Sequence, residues 1–301
     1  MKCIAITGTT GFVGQNLVPY LKKSGFRIKS ISRETLNNLE VDLVAADAVI
    51  HLAGKAHDLK KHVNPDEYYK VNFELTKHLY NSFLTSKASK FIFISSVKAA
   101  ADEICGILDE DVKPNPLSDY GKSKLMAEEY IKSQTLPIGK SYYILRPCMI
   151  HGPGNKGNLN LLFKVVQKGL PYPLAAFHNE RSFLSVSNLN LVLGSFLTDH
   201  IDCGIYNIAD DQSLSTNDVV LIIGEALGFK SKLWKLNPTL VFAFAKLSGF
   251  LQLPLTPERL IKLTESYVVS NEKVKRALKI TSFPTSSKEG LIETIISFKK
   301  S

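Results

Sequence analysis

"IAITGTTGFVGQNL", residues 4–17, governs the reading of the whole chain. A short apolar run ends at Thr7, glycines follow at Gly8, Gly11 and Gly14, and an amphipathic stretch starts at once. In such a loop the first glycine permits a tight turn. The second lets the backbone approach a pyrophosphate, and the third lets helix and strand pack closely. The helix N-terminus adds N–H donors and a partial positive charge for the phosphates. A strand before the glycines and a helix after them make this a dinucleotide-binding signature rather than a plain turn. Thr10, Phe12 and Val13, which complete the loop and open the helix, join the three glycines as cofactor-binding candidates.

Outward from this loop, apolar runs suggest strands at Lys2–Thr7, Arg27–Ser32, Ala48–Ala53, Phe91–Ser95 and Tyr142–Arg146. Helical patterns fall near residues 12–24, 67–86, 119–135 and 159–168. Apolar strands alternating with helices predict an α/β chain with a Rossmann-type, doubly wound parallel sheet covered on both faces. Only residues 34–47 separate the second and third strands, too few for a full crossover helix. "RSFLSVSNLNLVLGSFL" and "GIYNIAD" read as a further helix and strand returning to the sheet. The expected dinucleotide-binding domain is therefore residues 1–150 with about 183–208. A smaller, mostly helical substrate lobe takes 151–182 with 209–301.

The 301 residues are 45% hydrophobic and 22% charged, as in soluble globular proteins. The net charge of +9 comes from scattered lysines without interleaved aromatics. That pattern argues for a solvated basic surface or an anionic small-molecule ligand, and against a nucleic-acid groove. Cys3, Cys105, Cys148 and Cys203 show no metal-ligand spacing, so no metal is expected and the thiols read as reduced. The start of the chain turns to glycines too early for a secretory signal, giving an expectation of a cytoplasmic protein. "TLVFAFAKLSGFLQLPL", residues 239–255, is the most apolar run, but Lys246 interrupts it and prolines follow. It reads as a buried or interfacial helix rather than a membrane span.

A NAD site usually carries an acidic residue on the ribose about 20 residues beyond the glycine loop. Here the second strand ends in "SISRE", placing Ser32 and Arg33 there, with Glu34 one step on. An arginine suits a 2′-phosphate, so the reading favours NADP over NAD. Asp42, in "EVDLV", is a candidate for the adenine end.

These features resemble the extended short-chain dehydrogenase/reductases, the NAD-dependent epimerase/dehydratase family. The likeness runs through "TGTTGFVG" (7–14), "VIHLAG" (49–54), "VNFELTKHL" (71–79), "FISSVKAA" (93–100), "YGKSK" (120–124) and "LRPCMIHGPG" (145–154). "ERSFLSVSNL" (180–189) and the closing "KVKRALKITSFPTSSKEGLIETI" match the family's smaller lobe. Within the family, "HLAGKAHD", "SSVKAA" and "GPGNKGN" followed by "KGLPYPL" are similar to nucleotide-sugar 4-ketoreductases and 4-epimerases.

Tyr120 and Lys124, four apart on a helix, share one face. A free phenol ionises near pH 10, and a neighbouring ammonium should bring it toward the working range. The resemblance implies that Tyr120 is the acid–base and that Lys124 assists it and holds the nicotinamide ribose. It implies that Ser96 binds the reacting sugar oxygen, while Ser95 turns toward the sheet. It further implies that Leu52, Ala53 and Gly54 face the cofactor, that Asn72 braces that loop, and that His51 and His151 are structural. A nucleotide sugar's diphosphate would meet Arg181 and Lys156, with Asn158 beside it. Where the family often has Tyr-Gly after the serine, this chain has Ala100-Ala101, leaving the pocket wall open.

The implied activity is NAD(P)-dependent hydride transfer at C4 of a UDP-hexose, as 4-ketoreductase or 4-epimerase, with a homodimer as a further expectation. A UDP-galactose-type 4-epimerase with tightly bound NAD is one alternative. A non-catalytic dinucleotide sensor on the same fold is another, and a nucleic-acid-associated scaffold a third.

Overall fold

The computed structural model describes residues 1–38, 41–55, 64–155, 157–250 and 257–299. Lys156 lies outside these, as does the side chain of Asn158. β1 (Cys3–Thr7) is buried along its whole length and runs through the glycine turn into α1 (Phe12–Lys23). β2 (Arg27–Ile31) lies parallel on one side of β1, and β3 (Ala48–His51) lies parallel on the other. Between them α2 (Arg33–Asn37) has only five residues, as the short crossover requires.

Beyond β3 come α3 (Pro65–Tyr68), a π-helical turn at Tyr69–Glu74 and α4 (Leu75–Thr85). The single helix expected over 67–86 is thus interrupted; such π turns re-aim one side chain. β4 (Lys90–Ile94) leads through a 3₁₀ turn at Val97–Ala99 and β5 (Ile107–Leu108) into α5 (Asp119–Ser133). β6 (Ser141–Pro147), β7 (Met149–His151), α6 (Asn158–Gln167), β8 (Phe183–Ser185), α7 (Val186–Thr198) and β9 (Gly204–Ile208) follow. The chain continues through α8 (Thr216–Leu227), α9 (Pro238–Phe250), α10 (Pro257–Thr264), β10 (Val268–Val269), α11 (Glu272–Leu278) and α12 (Ser287–Lys299).

The six-stranded sheet has the order β2-β1-β3-β4-β6-β9, parallel throughout. Strands are added to one side of β1 and then to the other, so the carboxyl ends of β1 and β3 frame the crevice where such sheets bind ligands. Strand alternation sends Ile4 and Ile6 to the face covered by Leu17, Leu193 and Phe196 of α1 and α7. Ala5 and Val49 point to the other face, under Tyr80, Phe83 and Ile131 of α4 and α5. A third core joins α6, α8 and α12 through Phe163, Ile223, Leu291 and Ile295. Tyr267, Val269, Val274 and Phe283, far along the chain, belong to the sheet's core instead.

One charged pair lies inside this framework. Arg146 of β6 reaches Glu128 of α5 through Nη2 (2.5 Å) and Nε (2.9 Å), and Ser95 donates to the same carboxylate. Both charged side chains are buried. Removing one member strands the other in a water-free interior. Glu128→Ala should therefore lower the unfolding free energy by about 3–5 kcal/mol, measured by urea denaturation; a loss below about 1 kcal/mol would contradict the arrangement.

Candidate active site

The site gathers at the carboxyl ends of β1, β3 and β4. Gly8 has φ of +72°, and a side chain there would press within 2.8 Å of the Ala53 nitrogen. A Cβ on Gly14 would lie 2.3 Å from the Gly8 oxygen. Both positions therefore exclude any larger residue, which brings α1 and the 52–54 loop against the turn. Gly11 caps α1 with no side chain bonded to the first amides, the arrangement that suits an anion. At the head of β2, Thr9 Oγ1 meets Ser30 Oγ at 2.6 Å, and Ser32 caps α2 so that Arg33 starts it, exposed. Asp42 is exposed on the sheet flank, where Lys29 (2.6 Å) and the Val44 amide hold its carboxylate below the usual range.

His51 is wired through the floor. Thr76 donates to the Asn72 carbonyl (2.7 Å), so it accepts from His51 Nε2 (2.9 Å). That leaves His51 Nδ1 to accept from Thr7 (2.7 Å), whose oxygen accepts from the Ala53 amide (3.0 Å). Burial first, and Lys124 second, push the His51 pKa down to about 3, so the ring stays neutral and structural. Asn72 then accepts from the Lys55 amide (2.8 Å) and donates to the Lys55 carbonyl (3.1 Å) and Ser123 Oγ (3.1 Å). Asn72 is the buried residue of the π turn. Thr7, Thr76 and Ser123 complete the brace. The sequence signal for Thr76 was its place one helical turn after Asn72, in "NFELT".

Lys124 is buried, with Nζ donating to the Ile94 carbonyl at 2.9 Å. A Cβ on Gly54 would lie 3.1 Å from that Nζ, so the glycine keeps the loop over the ammonium. Tyr120 hydrogen-bonds Ser96, whose Oγ accepts from the Lys98 amide (3.2 Å). Gly121 seats the helix: a Cβ there would strike the Lys98 carbonyl at 2.4 Å. Tyr68 stands edge-on to Tyr120, ring centres 6.1 Å apart, and Lys55 Nζ lies 5.6 Å from the centre of the Tyr68 ring. Lys55 also pairs with Glu67.

The electrostatics correct one expectation. Burial raises the Tyr120 pKa above 10.0, the Ser96 hydrogen bond opposes this, and Lys124 is not among the causes. The reason is that Lys124 is itself desolvated, which lowers its pKa to about 8, and its ammonium is aimed at Ile94. Of the other candidates, Ser95 is turned to Glu128, away from Ser96's partners. His151 accepts no reactive role: it is buried against Thr294 (2.9 Å), with Asp210 at 3.8 Å. Arg181 is held by Glu265, through its carboxylate (2.7 Å) and carbonyl (3.1 Å). Tyr267, which the sequence did not single out, donates to the Ala101 carbonyl (2.6 Å) and lies under the Lys98 ammonium at 4.3 Å. It supports the turn where the Ala100-Ala101 pair replaces the family's Tyr-Gly.

A model of the NAD-dependent epimerase/dehydratase family matches residues 4–209, more than half the chain. The chain belongs to this family. It is similar to a Vibrio cholerae protein named UDP-glucose 4-epimerase, 32% identical over 251 residues, covering 75% of this chain and 76% of that one. It is also similar to an Escherichia coli O157:H7 protein named N-acetyl-alpha-D-glucosaminyl-diphospho-ditrans,octacis-undecaprenol 4-epimerase, 26% identical over 305 residues, 93% of this chain and 86% of that. A solved structure, UDP-N-acetylglucosamine 4-epimerase from Bacillus cereus, superposes with a TM-score of 0.75 at 24% identity, covering 98% and 95% of the two chains, and so shares the fold. Among the described residues no helix is long and apolar enough to cross a membrane, and no cluster of metal-ligating side chains occurs.

The turn, the capless helix and the braced 52–55 loop fit a dinucleotide. An ammonium that donates to ribose hydroxyls does so only while protonated. Dinucleotide affinity should therefore fall as pH rises through about 8, and Lys124→Met should flatten that dependence. Binding titrations across pH 6.5–9.5 (a window of about 1.5 units either side) check this. The same lowered pKa makes the charged form a burden on folding below about 8, relieved as pH climbs toward 10.5.

Proposed function

We propose that this chain exchanges hydride and a proton at C4 of a UDP-hexose, as a 4-ketoreductase or 4-epimerase, with residues 1–150 and 183–208 binding the cofactor. Residues 151–182 and 209–301 form the substrate lobe in this reading. The observation that carries it is Tyr120 hydrogen-bonded to Ser96 at the head of β4, with the buried Lys124 one helical turn on. Ser96 holds the sugar O4, and Tyr120 gives it a proton in the reductive direction or takes one in the oxidative direction. The nicotinamide, when bound, supplies the hydride acceptor or donor, and its oxidised ring adds positive charge that favours the phenolate. Lys124 and the amides of the 52–55 loop position the ribose. Arg181 meets the diphosphate together with Asn158 and Lys156, and Asp42 serves the adenine end.

Arg33 supports NADP: it begins α2, exposed, just beyond the end of β2, and a guanidinium suits a 2′-phosphate. That favours reduction, with the cofactor exchanging each turnover. The Vibrio relative's name favours epimerisation with NAD retained. The Escherichia coli relative is named for a sugar on a diphospho-polyprenol, so the sugar diphosphate is the shared element and uridine the proposed one. The reading also includes a homodimer in the cytoplasm.

Tyr120→Phe should cut turnover by about 10²–10⁴-fold while leaving dinucleotide affinity near that of the parent; near-normal turnover would overturn the role. Products from UDP-hexoses and UDP-4-ketohexoses, followed by NMR with and without NADPH, separate the two reactions. Arg33→Ala should weaken NADPH by about tenfold or more, roughly the 1.5–3 kcal/mol of a charged hydrogen bond, and leave NADH nearly unchanged. Equal losses for both would remove the NADP assignment.

A further inference from the structure

Among its described residues, the apolar segment singled out in the sequence is only partly taken up by the core. α9 sends Val241 and Ala245 inward, and Phe242 packs on Phe177 with ring centres 5.9 Å apart. Its opposite face carries Leu240, Ala243 and Phe244 outward, with Leu240 70% and Phe244 56% exposed. Trp234 (55%) and Leu236 just before the helix are exposed as well, as is Ile261 on the adjoining α10. A helix that is apolar on every side belongs in a core or against a lipid phase, and large apolar patches in water mark interaction surfaces.

Charge identifies the partner. Residues 229–257 hold four lysines, Lys230, Lys232, Lys235 and Lys246, and no aspartate or glutamate. All four lysines are exposed. A second copy meeting this face about a twofold axis would oppose lysines with lysines, with no carboxylate of the segment to answer them. An anionic bilayer accepts both the ammonium groups and the apolar side chains.

We infer that α9 and residues 234–236 just before it dock this protein in the plane of an anionic lipid surface. Thirteen residues rise only about 20 Å along a helix, short of the hydrocarbon core, so the helix lies on the membrane rather than through it. This surface is independent of the C4 chemistry.

The chain's single tryptophan, Trp234, is the reporter. With phosphatidylglycerol vesicles its emission should shift to the blue and the protein should sediment with them. Phosphatidylcholine vesicles should bind far less, and added salt should weaken the anionic binding. The double variant Leu240→Glu/Phe244→Glu should partition about tenfold or more less while binding dinucleotide as the parent does, which shows that it is folded. Unchanged Trp234 emission with phosphatidylglycerol, or equal partitioning of the double variant, overturns the inference. So does a parent oligomer that ignores vesicles and is dispersed by the double variant, which would give the face to a second copy.

Discussion

The contact on which the site depends is the buried ammonium of Lys124 against the Ile94 carbonyl at the end of β4. It ties α5, which carries Tyr120, to the strand that delivers Ser96. It also sets how closely the 52–55 loop can approach, because Gly54 sits directly over Nζ. A charged group taken out of water is costly unless something needs it there. Among the described residues its hydrogen bond goes to one backbone oxygen, with Glu128 acting at longer range. The arrangement is a side chain held ready, on a framework stiffened by the Glu128–Arg146 pair and by the Thr7–His51–Thr76–Asn72 chain.

Much of this was legible in the residues. The glycine turn, the parallel sheet and the short crossover at 34–47 followed from spacing, because each reflects a local steric rule. Tyr120 meets Ser96, and Lys124 lies one helical turn on with its ammonium on Ile94. What sequence could not show is where buried polar groups find partners. Thr7, Thr76 and Ser123 look like ordinary small polar residues until strands from distant parts of the chain place His51 and Asn72 beside them. Tyr267 is separated from Ala101 by 166 positions and declares itself only when β10 pairs with β5.

The phenol's electrostatics do not follow from spacing, for a related reason. Spacing on a helix says that Tyr120 and Lys124 share a face, but not how each is solvated. Burial acts on both groups, raising one pKa and lowering the other, and neither shift carries a contribution from the other group. An acid–base role near neutral pH therefore requires charge that the bound nicotinamide would bring.

That requirement can be tested directly by ultraviolet difference titration of tyrosinate, comparing the parent protein with Tyr120→Phe, alone and with oxidised dinucleotide. The account holds that the signal belonging to Tyr120 has its midpoint above 10 in the free protein and moves toward neutrality when the dinucleotide binds. A Tyr120 signal that does not move on binding would contradict it.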